Sequence, residues 1–329
     1  MPRIGIDLMG SENAPRLLLG AVFELILTLH LPSARFFLLG PPPLQKECES
    51  LLTRFSKAKG QIFFQEAEEV IEADENPLTA LRHKKNSSMA KGILLLKEGK
   101  LDAFVSAGNT GAIIALSSLH LPLLSDTVRP ALLALMPTKK QPLAVLDIGA
   151  NTQYTADHLV QFAKMGAAYQ MSRGIKDPKI GLLNIGHEAL KGTSEVRCAY
   201  QKLQSFPNFR GNIEAKEVFQ GEVDVLITDG FTGNVFLKTA EGIANLILDR
   251  LKENISEQEF SILEPYLNDL QKHLHYAEYP GALLAGLQGI VIKCHGYSSP
   301  KAIMNGIRGA LELVEQKFLE KYLKIFGRI

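Results

Sequence analysis

Short apolar runs recur along the chain, and most end in a glycine-rich polar loop. IGIDL (4–8) runs into MGSENAP, FFLLG (36–40) into PPP, AFVSA (103–107) into GNTG and LAVLD (143–147) into IGANT. Further on, IGLLN (180–184) meets IGHEALKG, DVLIT (224–228) meets DGFTGN and IVIKC (290–294) meets HG. IFFQ (62–65) and LLALM (132–136) are further strand candidates. Runs without polar alternation predict strands buried on both faces, as in a parallel sheet, and the intervening segments are long enough for crossover helices. The pattern predicts an α/β protein with a mostly parallel sheet. Without repeats or a low-complexity linker, residues 1–329 read as one domain. In such sheets ligands bind beyond the carboxyl ends of the strands, where these loops gather.

One segment breaks the alternation. Residues 240–276 carry no strand signal. Ile243, Ile247 and Leu251 form one stripe, and Phe260, Leu263, Leu267, Leu270 and Leu274 form another at three- and four-residue steps. That spacing predicts a projecting helical hairpin over 240–276, with Pro265 starting or kinking its second helix. Its stripes serve internal packing, or else a surface for a partner subunit or a membrane. The most apolar stretch, LLLGAVFELILTLHL (17–31), carries Glu24 and His30. It is shorter than the roughly 20 residues of a membrane span, so it reads as a buried helix.

Charge and cysteine usage narrow the function. Among 329 residues, 36 Lys and Arg balance 35 Asp and Glu, for a net charge of +1. No global field recruits nucleic acid. Cys48, Cys198 and Cys294 lie far apart and form no CxxC pair. That argues against a disulfide framework or zinc knuckle and fits a reducing cytosol. The N-terminus reaches Asp7 before a signal-peptide core could form.

Several familiar chemistries fail on spacing. There is no GxSxG elbow and no GxGxxG after a strand. GHEALKGT (186–193) imitates a nucleotide-binding loop but has Lys-Gly where Gly-Lys is required. The two histidines of HLH (273–275) do not share a helix face, so no metal site is expected there. Cys294 and His295 are neighbours on a strand and point to opposite faces, so the thiol reads as a small buried side chain. The loops instead offer donors and cations: Lys84, Lys85, Asn86, Asn109, Thr110, Asn151, Asn184, Lys191, Asn234, Lys238, Lys293 and His295. In HKKNSS (83–88), Ser87 or Ser88 can cap a helix whose start also attracts anions. The segment is a capped surface helix with solvated lysines, or an anion site. Donors without nucleophiles suit an anionic substrate that supplies its own nucleophile, such as inorganic phosphate.

IDLMGSENAP, DENPLTALRHKKNSSM, SAGNTGA, RPALLALMPT, LDIGANTQYTADHLVQFAKMGAAY, GLLNIGHEALKG, DVLITDGFTGNVFLKTAEG and GALLAGLQGIVIKCHG follow one another along nearly the whole chain. In these segments the sequence resembles the bacterial phosphate acyltransferases, which make acyl-phosphate from acyl-carrier protein and inorganic phosphate for phospholipid synthesis. The resemblance implies a homodimer with a three-layer α/β/α fold like that of phosphate acetyltransferases and isopropylmalate dehydrogenases. It also implies no cofactor or metal, and a cytoplasmic protein that associates peripherally with the inner face of the membrane. There it would feed a membrane-bound glycerol-phosphate acyltransferase.

On this resemblance, Lys84, Asn86, Ser87, Ser88, Asn109 and Thr110 would hold phosphate. Asn109 or Asn234 would donate to the oxyanion, Lys293 or His295 would supply acid, and Asp229 would orient a cation. Asp7, Gly10, Glu12, Asn151, Asn184, Glu188, Lys191 and Lys238 would contact substrate. Departures from the family pattern are Ser11-Glu12 for Gly-Asp, Thr79 for Arg, Pro280 for Gly and Ser299 for Asp. Two alternatives stand beside it: a short-chain acetyltransferase using CoA thioesters, and a non-catalytic sensor of acyl-carrier protein or membranes.

Overall fold

The computed structural model describes residues 1–11, 14–29, 34–125, 127–253, 263–267, 269–270, 281–294 and 300–327. Its strands are β1 (Arg3–Asp7), β2 (Arg35–Gly40), β3 (Ile62–Glu66), β4 (Ala103–Ser106), β5 (Ala131–Met136), β6 (Leu143–Leu146), β7 (Ile180–Asn184), β8 (Phe209–Glu214), β9 (Val225–Ile227), β10 (Ala282–Ala285) and β11 (Ile290–Lys293). The helices that matter below are α1 (Pro15–Leu29), α2 (Pro42–Arg54), α3 (Pro77–His83), α4 (Ser88–Lys97), α5 (Thr110–His120), α6 (Ala156–Ser172), α7 (Ser194–Leu203) and α8 (Gly230–Glu253). Every apolar run read from the sequence forms a strand.

The chain expected as one domain divides into two compact units, Met1–Pro130 with Pro280–Arg328, and Ala131–Tyr279. In the first, the strand order is β3-β2-β1-β4-β11-β10, parallel except where β10 runs against β11. In the second, the order is β5-β6-β9-β7-β8, parallel except where β5 runs against β6. Helices lie on both sides of the mostly parallel sheet. Strands β4, β5, β6, β9 and β11 are buried along their whole length, the burial expected of a layer covered on both faces.

Residues 17–29 of the apolar stretch belong to α1, with Leu18, Leu19, Val22 and Leu25 wholly buried and Glu24 exposed, and residues 30 and 31 lie outside the described residues. No described helix is long and apolar enough to cross a membrane. The expected hairpin over 240–276 is described in part. Its first helix belongs to α8, which begins ten residues earlier, at Gly230. Residues 263–267 and 269–270 are helical. Residues 254–262, with Phe260 of the seam, lie outside the described residues, as do Leu274 and HLH (273–275). Ile243, Leu246, Ile247 and Leu251 on α8 are exposed, while Leu267 is buried.

The buried stripe of α8 contains one carboxylate. Glu241 follows Leu237 by one turn and precedes Leu248 by two, and its Oε1 is inaccessible and lacks a hydrogen-bond partner. Burial pushes the Glu241 carboxyl up, against the pull of Lys238. A folded value raised above the unfolded one, about 4.3, gives stability that is complete below that pH and lost as pH rises through the folded value. Glu241→Gln should therefore raise the melting temperature at pH 8 and gain little at pH 4, measured by thermal unfolding across pH. An equal gain at both would exclude titration of Glu241 as the cause.

Candidate active site

In the first unit the loops are shaped by a buried row of polar side chains at the strand ends. Asp7, Ser106 and Lys293 close β1, β4 and β11, whose register sets them side by side. All are buried. Asp7 accepts from the Ser106 hydroxyl at 2.7 Å, from the Met9 amide at 3.0 Å and from Ser88. Burial pushes its carboxyl up against those donors. The Ser106 hydroxyl oxygen also accepts from the Gly108 amide at 3.1 Å. Lys293 Nζ donates to the carbonyls of Ala107 and Cys294. Burial pushes the ammonium down to about 8. It pushes the neighbouring Cys294 thiol up to about 11, which leaves it a space-filling side chain, as read from the strand pattern. Gly10 meets the same region: a Cβ there would lie 3.1 Å from Gly108 Cα. Glu12 and His295 lie outside the described residues.

The HKKNSS segment is a capped helix start. Ser87 is the N-cap of α4: its hydroxyl accepts from the Ala90 amide at 3.3 Å and donates to the Lys84 carbonyl at 2.9 Å. Lys84 Nζ is bound at 2.6 Å to both Glu75 and the Val70 carbonyl, and it holds the half-buried Glu75 carboxyl below the usual range. Asn109 caps α5 through the Ala112 amide and spreads its side-chain NH2 over the carbonyls of Glu72, Ala73 and Glu75. Lys84 and Asn109 thus clamp the 70–75 loop from two sides. Among the expected phosphate ligands, Asn86 and Thr110 make no side-chain hydrogen bond within the described residues. Thr110 stands on the first turn of α5, and Asn86 is exposed beside the exposed Lys85.

In the second unit Asp147 does what Asp7 does in the first. It is fully buried and accepts from the amides of Leu132, Gly149, Ala150 and Asn151, and from the Asn151 side chain, at 2.6–3.1 Å. The Asn151 carbonyl accepts from the Gly230 amide at 2.9 Å. The first turn of α8 lies so close that a Cβ on Gly233 would sit 1.9 Å from the Asp147 carbonyl oxygen. Asp229, expected to orient a cation, is the cap of α8: Oδ1 accepts from Phe231 at 3.0 Å and Thr232 at 2.9 Å. Asn234 follows one turn into the helix beside Gly149, half-exposed and with its side-chain amide making no hydrogen bond among the described residues; Lys238 is exposed one turn beyond. Asn184 closes its own loop, donating to the Lys191 carbonyl and accepting from Ile185. Glu188 and Lys191 are exposed on that loop. Among the described residues, no His, Cys, Asp and Glu cluster that could hold a metal ion is formed.

Ser106 and Asp147 were not singled out from the sequence. The signal for Asp147 was present: an aspartate ending an apolar run, with glycine two residues on, is the pattern of a side chain that bonds the amide two places ahead. Asp7, Asp147 and Asp229 all make that bond.

Residues 2–321 match the family described as fatty acid synthesis protein. The phosphate acyltransferase of Thermodesulfovibrio yellowstonii is 40% identical over 324 residues, covering 96% of this chain and 92% of that protein. That of Chlamydia caviae is 39% identical over 324 residues, covering 98% of each. The chain belongs to the phosphate acyltransferase family. The fold is shared with more distant proteins: a phosphotransacetylase from Streptococcus pyogenes superposes with a TM-score of 0.59 at 16% identity, covering 95% of this chain and 94% of that one. The EutD phosphotransacetylase from Staphylococcus aureus gives 0.57 at 15% identity, covering 100% and 94%.

For this acyltransferase, the cap geometry of Asp229 carries a prediction. Asp229→Ala should cost about 0.5–2 kcal/mol of stability, whereas Asp229→Ser keeps a capping oxygen and should keep both melting temperature and turnover. An Asp229→Ser protein that melts normally but turns over at under a hundredth of the wild-type rate would show that the carboxylate acts in the chemistry.

Proposed function

We propose that this acyltransferase forms acyl-phosphate reversibly from a long-chain acyl-carrier-protein thioester and inorganic phosphate, for phospholipid synthesis. The observation that carries the reading is the inventory of the strand-end loops: Asn86, Thr110 and Asn234 make no side-chain hydrogen bond among the described residues, and burial pushes the Cys294 thiol up to about 11. Such loops suit a direct transfer. A phosphate oxygen attacks the thioester carbonyl, the C–O bond forms, the tetrahedral oxyanion collapses, the C–S bond breaks, and the carrier's thiolate leaves and takes up a proton. Thiolate is a good leaving group, so the demands are positioning and oxyanion stabilisation.

In the first unit, Asn86 and Thr110 with Lys85 are assigned to phosphate, and Lys293 supplies positive charge and the proton. Ser87, Ser88 and Asn109 fix the loops that present them. Lys84 reaches phosphate only if its bond to Glu75 opens. In the second unit, Asn234 is assigned to the oxyanion, with Asn151 holding its loop; Asn184, Glu188, Lys191 and Lys238 are assigned to the carrier-borne substrate. Asp7 and Gly10 shape the first loop, which Glu12 and His295 complete. No cofactor is assigned.

The exposed stripe of Ile243, Leu246, Ile247 and Leu251 supports a homodimer, because apolar rows of this kind are usually covered by another surface. We place the dimer in the cytoplasm, at the inner face of the membrane, where a membrane-bound glycerol-phosphate acyltransferase would consume the labile product.

The deciding assay supplies a long-chain acyl-carrier protein and phosphate without added metal and follows acyl-phosphate as its hydroxamate. Turnover is expected there, with Asn234→Ala about 10²–10³ slower and wild-type circular dichroism retained. Efficient turnover only with acetyl-CoA would establish the short-chain activity, and binding without turnover would establish a sensor. Ile247→Glu should raise the monomer fraction in sedimentation equilibrium; an unchanged dimer that no longer floats with anionic vesicles would place the stripe on the membrane instead.

A further inference from the structure

The buried row at the ends of β1, β4 and β11 has a member to which the mechanism above gives no part. Ser106 lies between Asp7 and Lys293 in the register of three parallel strands. Its hydroxyl has one proton, and that proton goes to Asp7 Oδ2 at 2.7 Å. Its oxygen receives the Gly108 amide, so the hydroxyl cannot turn away without breaking the GNTG loop. The Lys293 ammonium reaches the same place from the other side, at the carbonyl of Ala107, the residue after Ser106. Among the described residues, the charged and titratable groups that face Lys293 are Asp7 on β1 and the Cys294 thiol on its own strand. On the helix Pro300–Glu315, Gly306 stands against the Cys294 sulfur, and Ser88 at the start of α4 binds Asp7.

We propose that Ser106 is a positioning residue of the acyltransfer reaction: its hydroxyl holds Asp7 as a carboxylate, and that carboxylate keeps Lys293 an ammonium in a dry site. The inference rests on the role given to Lys293 above. A buried ammonium is costly without a facing negative charge, and a buried carboxylate is costly without donors. The row satisfies both needs in sequence, from hydroxyl to carboxylate to ammonium. Removing the hydroxyl leaves Asp7 with one donor fewer, favours its neutral form, and withdraws the countercharge from Lys293 with no change in the lysine itself.

The test reads Lys293 directly. In protein carrying 13Cε-labelled lysine, the Lys293 signal is assigned by its loss in Lys293→Met and followed against pH. Its midpoint should fall by about one pH unit in Ser106→Ala, and the basic limb of the kcat profile should move down with it. Ser106→Thr, which keeps the hydroxyl, should restore both. Asp7→Asn should lower the midpoint at least as far, and adding Ser106→Ala to Asp7→Asn should move it no further, since the effect passes through the carboxylate. An unchanged midpoint in Ser106→Ala, or a further shift in the double variant, overturns the proposal. If Ser106→Ala fails to fold, Ser106→Cys, a poorer donor of nearly the same size, should give a shift of the same sign, and an unchanged midpoint there also overturns it. A midpoint that moves while the kcat profile stays still leaves Ser106 in control of the lysine charge and removes Lys293 from the reaction, which separates this inference from the mechanism it rests on.

Discussion

A carboxylate buried at the end of a strand must be given donors, and this requirement shapes the loops of both units. Asp147 is the fullest case. Its two oxygens accept five hydrogen bonds, four of them from backbone amides, and three of those amides belong to residues 149–151 of its own loop. The loop so fixed then receives α8, whose Gly230 amide bonds Asn151 and whose Gly233 has no room for a side chain. Asp7 imposes the same discipline on the first loop through Met9, Ser88 and Ser106. A loop held this way presents its remaining groups without rearrangement, and preorganisation of that kind is where much of an enzyme's advantage lies.

The division of labour among polar residues follows. Those closest to the strand ends are consumed in building the loops: Asp7, Ser87, Ser88, Ser106, Asn109, Asp147, Asn151 and Asp229 all have their bonding capacity directed at the protein. Those one step farther out, Asn86, Thr110 and Asn234, make no side-chain hydrogen bond among the described residues. Lys293 belongs to both groups, since it is buried and bonded to carbonyls yet is brought by burial to about 8, within reach of proton transfer near neutral pH.

Much of this was legible in the sequence. Continuous apolar runs gave away the parallel strands because burial on both faces leaves no alternation to hide them. The two strands that escaped notice lack that signature. FRGNIE in β8 is an edge strand with one buried residue, a glycine at φ +90° and an irregular register against β7. ALLA in β10 is four residues long and looks like part of the glycine loop around it. The split into two compact units was hidden because the first unit is discontinuous and its return at Pro280 has no linker-like composition. In the site, the sequence names polar residues but does not say which of them the protein itself engages. An Asn that caps a helix and an Asn that makes no side-chain hydrogen bond among the described residues look alike until the distances separate them, as they do for Asn109 and Asn234.

The central claim is that the chain organises reactants and lends no nucleophile of its own. Its most direct test is a single-turnover experiment in which enzyme is mixed with a long-chain acyl-carrier protein in the absence of phosphate, with free carrier thiol followed on the millisecond scale. Direct transfer predicts no thiol release beyond slow hydrolysis until phosphate is added, then release in step with acyl-phosphate. A burst of thiol equal to the enzyme concentration before phosphate is added, with the acyl mass retained on the quenched protein, would contradict it.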